Sequence, residues 1–211
     1  MTTRDRTPND AERAVAAVGT AERNRQIEKV EGLVKVGMVD AASGLASVSR
    51  LTSKEVVPRV KEGVAQLLKE GKIYPASKAV AAFGLTREEL ESFGPEVIEA
   101  VAKLVKEGKT YTASGAASAF KLTDEEVKPR VMEGIAQLLE GGNLSDASET
   151  VYAFKLTGEE TEQFKPKVIE LAAMLVDIGG LDDASEAILA FNVTKEELSE
   201  IAEGARRHLR R

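Results

Sequence analysis

The sequence predicts an all-α protein, an α-solenoid or compact array of about five helical repeats. Three observations predict it. One layout recurs five times at a regular interval, its apolar residues fall at helical spacing, and no segment alternates apolar and polar residues as a strand does.

The five segments are VGMVDAASGLASVSRLT (36–52), EGKIYPASKAVAAFGLT (70–86), EGKTYTASGAASAFKLT (107–123), GGNLSDASETVYAFKLT (141–157) and GGLDDASEAILAFNVT (179–194). In each, an anchor Gly (37, 71, 108, 142, 179) precedes a Ser by six residues, and a Thr follows nine residues later. The Thr-to-Thr spacings are 34, 37, 34 and 37, so the repeats alternate in length and pair into a 71-residue unit. Pro58, Pro95, Pro129 and Pro166 each stand 13 residues before the next anchor Gly, which places the three extra residues between Thr and Pro. The stretch QIEKVEGLVKVG (26–37) matches VIEAVAKLVKEG (97–108) and carries the alternation backwards. The repeat length is close to that of tetratricopeptide units, but their Trp, Gly and Tyr signature is absent.

Each repeat reads as three helical pieces. The first is about ten residues long, with stripes such as Ala76, Val80, Phe83 and Ala184, Ile188, Phe191 on one face. Tyr-Pro-Ala at 74–76 and Ser-Asp-Ala at 145–147 suit its start. The second opens with a capping box at Thr52–Glu55, Thr86–Glu89, Thr123–Glu126, Thr157–Glu160 and Thr194–Glu197. The third starts near the Pro and carries Val60, Val64, Leu67, Leu68 or Val131, Ile135, Leu138, Leu139. It ends at the anchor Gly, a residue suited to a left-handed C-cap. Gly63 and Gly134 lie inside these helices at a cost of ~1 kcal/mol each relative to Ala, which implies close approach of a neighbouring helix.

The ends depart from the pattern. Ser49 replaces the usual Phe, and KEELSEIAEGARRHLRR (195–211) lacks the Pro, as expected of capping units. Residues 1–19 are expected to form a flexible arm with a short helix at 11–18, and residues 20–211 a single repeat domain.

Composition restricts function. There is no Cys and one His, His208, which argues against thiolate chemistry, disulfides, His triads and multi-His metal sites. Phosphate-binding, dinucleotide-binding and nucleophile-elbow motifs are missing. The sequence therefore reads as non-enzymatic, without cofactor or metal. The acidic cluster Asp182, Asp183, Glu186 lacks the oxygen ladder of a calcium loop and is read as helix-start compensation. Met1 to Asp10 carries no apolar run of a signal peptide and no segment has the length of a membrane helix, so a cytoplasmic, soluble location is expected.

Two surfaces are candidates for a partner. Arg59 and Gln66, and again Arg130 and Gln137, lie off the apolar stripe on one side of nearly identical helices. Arg206, Arg207, Arg210 and Arg211 form a basic tail. The function expected is a scaffold that binds a protein or peptide through a rigid helical surface. The alternative is a nucleic-acid-binding repeat protein using the tail and the turn AAFGLTREEL (81–90), which resembles a helix-turn-helix. The net charge of −6 and Glu88, Glu89 and Glu91 on the capped helix oppose that alternative.

Overall fold

The computed structural model describes the backbone of residues 10–199 and the side chains of residues 17–199, and every regular element among them is a helix. In order these are α1 (Asp10–Lys35), α2 (Val39–Val48), α3 (Ser53–Lys69), α4 (Ile73–Phe83) and α5 (Arg87–Leu90), followed by a 3-10 turn at Glu91–Phe93. Then come α6 (Gly94–Lys106), α7 (Thr110–Ala119), α8 (Asp124–Glu140), α9 (Leu144–Ala153), α10 (Gly158–Thr161), a second 3-10 turn at Glu162–Phe164, α11 (Lys165–Asp177) and α12 (Leu181–Ala190). Residues 195–199 are helical again. The contacts gather into two compact units, residues 1–93 and 94–211. Helix α1 begins at Asp10 and takes in the short helix expected at 11–18, where Ala, Glu and Arg have high helix propensity.

The elements recur at the 71-residue interval. Val39–Val48 returns as Thr110–Ala119 and Leu181–Ala190, and Ser53–Lys69 returns as Asp124–Glu140. The expected three-piece layout holds only in the long repeats. There the three extra residues form the 3-10 turn, and Pro95 and Pro166 become the second residues of α6 and α11, where an amide has no helical partner. In the short repeats the second and third pieces fuse into one 17-residue helix, α3 or α8, with Pro58 or Pro129 inside. The carbonyl that loses its donor there belongs to Lys54 or Glu125, both exposed to water in the first turn.

Both ends of each short first helix are fixed by backbone chemistry. All five anchor glycines have positive φ, from 69° to 88°. The amide after each reaches back to a carbonyl five residues earlier, as in Met38 to Leu33 at 2.8 Å and Lys109 to Leu104 at 2.8 Å. A second left-handed position, two residues before each Thr, is invisible to a search for glycine. Only Gly84 is glycine; the others are Arg50, Lys121, Lys155 and Asn192, with φ between 51° and 56°. Each such residue costs about 1–2 kcal/mol of backbone strain. The same five-residue back bond offsets it, as in Leu122 to Ala117 at 3.0 Å, and the apolar residue that donates it is Leu85 or Leu156, both buried, or half-buried Leu51, Leu122 or Val193.

All five capping boxes form. The Thr amide donates to the Glu carboxylate at 2.6–2.7 Å in every copy. At Thr86, Thr157 and Thr194 the hydroxyl also accepts from the Glu amide at 3.2–3.3 Å. At Thr52 and Thr123 the hydroxyl instead donates to the same carboxylate.

In each unit a long-type helix crosses a short-type helix at a glycine. Helix α1 packs on α3, and α6 on α8. A Cβ at Gly63 would lie 2.6 Å from Val34 Cγ1, and one at Gly134 would lie 2.5 Å from Val105 Cγ1. The close approach inferred from the two mid-helix glycines is thus present. The stripes Val60, Val64, Leu67, Leu68 and Val131, Ile135, Leu138, Leu139 are all buried, as are Ala42, Ala76, Ala113, Ala147 and Ala184 at one repeat position. The Phe stripe is uneven: Phe120 and Phe191 are buried, but Phe83 and Phe154 are only half-buried. Phe191 meets Phe164 edge to face, with ring centroids 6.3 Å apart.

Gly63→Ala or Gly134→Ala should destabilise by about 1–3 kcal/mol through overpacking. Gly32→Ala and Gly115→Ala, at exposed helical positions where an added methyl meets nothing within 4 Å, should stabilise by about 0.5–1 kcal/mol. Urea titration of the four single variants reads the signs directly. By the same measurement Phe120→Ala should cost about 3–5 kcal/mol and Phe154→Ala clearly less.

Candidate partner-binding surface

Helix α3 places Arg59 and Gln66 on its exposed side, and α8 does the same for Arg130 and Gln137. Both arginines are engaged by carboxylates. Arg59 lies 3.2 Å from Glu62 on its own helix and 3.6 Å from Glu31 on α1. Arg130 lies 2.9 Å from Glu133 on its own helix and 2.9 Å from Glu99 on α6. Glu31 is buried beneath the pair and also accepts from Lys35, which holds its carboxyl below the ordinary value; Arg59 adds to that effect. Gln66 donates to Glu70 at 2.5 Å. Each arginine therefore spans the same helix pair that the glycine brings together, and an incoming acidic group would have to displace a carboxylate. Arg206, Arg207, Arg210 and Arg211 lie outside the described residues.

The helix starts of the second unit form shallow, open depressions. One of about 450 Å³ is lined by Asp124, Glu125, Lys128, Pro129, Met132 and Glu160. Within that lining Lys128 pairs with both carboxylates, 3.1 Å from Asp124 and 2.8 Å from Glu160. Lys128 and the Thr157 amide hold the Glu160 carboxyl below its ordinary value. Glu197 is held down similarly, by the Thr194 amide first and then by Lys165 at 3.0 Å. Among the described residues no group of three or more His, Cys, Asp or Glu side chains is placed to hold a metal ion. Asp182 and Asp183 occupy the first turn of α12, where negative charge offsets the helix dipole. No described helix is long and apolar enough to cross a membrane.

The apolar stripes gave no sign of a set of exposed apolar side chains. All three tyrosines of the chain are over half exposed: Tyr74 on α4, Tyr111 on α7 and Tyr152 on α9. Tyr74 and Tyr111 stand at the same repeat position, three residues after the anchor Gly. A second group, Met174, Val176, Ile178, Leu181 and Leu189, is exposed on α11, α12 and the turn between them. The signal that could have found the tyrosines was their position just outside the apolar stripe of a ten-residue helix.

Changing Arg59 and Gln66 together to Ala should shift stability by no more than about 1 kcal/mol, because exposed pairs are weak. A urea titration of the double variant checks this. For the carboxylates the folded value is depressed, so their contribution is complete above the ordinary value of 4.5 and is lost as pH falls through the folded value. The thermal midpoint should be flat from about pH 6 to about pH 8 and fall below about pH 4.5, and Glu160→Gln should flatten that acid limb.

No protein-family model matches the chain, and no curated protein and no solved structure matches it either.

Proposed function

We propose that the chain is a non-enzymatic helical-repeat scaffold of the α-solenoid type that binds a protein or peptide partner through its exposed helical surface. The observation that carries this reading is the exposure of every tyrosine on the short first helices of a chain with no Trp. Tyr supplies large, semi-rigid contact area and is enriched where interface energy concentrates. Leaving three such rings in water has no stabilising role in the fold itself. The recurrence of helices, caps and left-handed turns at 71 residues supports the repeat reading, and rigid helices lose little entropy on binding. A protein or peptide partner also accords with the acidic balance of the chain. The helix that would enter a nucleic-acid groove in AAFGLTREEL is α5, only four residues long, in which Glu88 and Glu89 outweigh Arg87.

Affinity capture from native extract tests the proposal, using the wild-type chain beside a Tyr74→Ala, Tyr111→Ala, Tyr152→Ala variant with an unchanged unfolding midpoint. The expected result is a protein retained by the wild type and lost or weakened at least tenfold with the variant. Equal retention by both chains would overturn the role assigned to the tyrosines. Binding to duplex or single strands that collapses between about 50 and 200 mM salt would transfer the assignment to nucleic acid.

A further inference from the structure

Helices α11 and α12 depart from their counterparts α6 and α7 in one direction. The last turn of α6 carries Lys103 and Lys106, and Glu107 follows it. At the same repeat positions α11 carries Met174 and Asp177, and Ile178 follows it. Ser118 on α7 becomes Leu189 on α12. The positions of Met174, Ile178 and Leu189 face water in all three copies at the 71-residue interval, so their exposure belongs to the surface of the repeat. Ile178 is 80 % and Leu189 74 % exposed. Where α6 and α7 place Lys, Glu and Ser in water, α11 and α12 place Met, Ile and Leu, which adds nothing to an interior.

The apolar residues lie in two rows that meet. Met174 and Ile178 are four apart at the end of α11, and Leu181 and Leu189 are eight apart on α12, so each pair follows one ridge of its helix. Ile178 and Leu181 stand on either side of Gly179 and Gly180, and both ridges therefore start from one turn.

The charge beside these rows has a single sign. No Lys or Arg lies between Lys167 and Lys195. Asp177 is the last residue of α11, where the helix dipole favours a cation and where α1 and α6 end in Lys35 and Lys106. Asp182 and Glu186 are four apart on α12, a spacing at which like charges repel. Among the described residues no cation pairs with Asp177, Asp182 or Glu186, whereas at the corresponding turn Lys103 and Lys109 lie 3.9 Å and 2.8 Å from Glu107. Asp177 and the Asp182–Glu186 spacing both work against the helices that carry them.

We propose that α11 and α12 dock a basic amphipathic segment of a partner protein across this turn. Its apolar side lies on Met174, Ile178 and Leu189, and its Lys or Arg side chains pair with Asp177, Asp182 and Glu186. A cation brought to Asp177 supplies the charge that this helix end lacks, and apolar contact takes the exposed ridges out of water. The site shares no residue with the tyrosine surface.

The probe is a dye-labelled amphipathic peptide of leucine and lysine, its leucines at helical spacing, titrated against the full-length chain by fluorescence anisotropy. Saturable binding is expected, and none for a twin peptide with glutamate in place of lysine. Met174→Lys, Asp177→Lys, Ile178→Glu rewrites the end of α11 as that of α6 and should weaken binding at least tenfold. Leu189→Ser, which restores the residue of α7, should weaken it separately. Glu88→Gln, Glu91→Gln, at exposed sites of the other compact unit, raises the net charge equally and should bind as the wild type does, as should Tyr74→Ala, Tyr111→Ala, Tyr152→Ala. Equal weakening by either control would overturn the assignment to α11 and α12. No binding, binding of both peptides, or full binding by the rewritten chain would overturn it too. Sedimentation showing a dimer of the chain that Leu189→Ser splits would make a second copy the occupant and overturn the proposal.

Discussion

The fold rests on two helix crossings at which a glycine faces a valine. Gly63 receives Val34, and Gly134 receives Val105, with no space for even one added carbon. Glycine inside a helix costs about 1 kcal/mol in propensity, so its presence twice at one register makes sense only if the approach it allows returns more than that. The return is burial: Val30, Val34, Val60, Val64 and Leu67 in one unit, and Val101, Val105, Val131, Ile135 and Leu138 in the other. With only nine aromatic residues in the chain, close spacing of small aliphatic side chains is the available way to fill an interior at native density.

Around that contact the polar groups repeat as faithfully as the apolar ones. The capping Glu of one helix is also the acceptor for a cation on another element, as in Arg23–Glu55, Lys128–Glu160 and Lys165–Glu197. One carboxylate thereby closes a helix end and ties two helices together. The joint geometry explains why these half-buried Glu residues are held below the ordinary carboxylate range. Exposed pairs of this kind set register and orientation more than they add stability.

Much of this was legible in the sequence, for identifiable reasons. Periodicity exposed the stripes of α3 and α8, and the S/T-x-x-E pattern exposed the five caps, because each depends on residues a few positions apart. Gly63 and Gly134 betrayed the helix crossing by being in the wrong place for a helix. The fusion of the second and third pieces in α3 and α8 was hidden, since a Pro reads as a break unless its unpaired carbonyl is known to face water. The left-handed turns at Arg50, Lys121, Lys155 and Asn192 were hidden because only Gly84 announced them. On the surface, the Arg59 and Arg130 side was legible as exposed, but their engagement by Glu31 and Glu99 on another helix depends on tertiary packing. The tyrosines were overlooked because exposure is a property of neighbours, which a stripe does not contain.

The alternation created by the two 3-10 turns decides which pieces of the chain are interchangeable. The valine-bearing helices α6 and α11 each follow a turn-containing linker, and the glycine-bearing helices α3 and α8 each follow a direct one. Gene rearrangement that gains or loses a whole 71-residue block rejoins valine to glycine. A gain or loss of 34 or 37 residues sets like against like, two bulky faces or two bare ones. The pair is therefore the interval over which a valine-bearing and a glycine-bearing helix recur together.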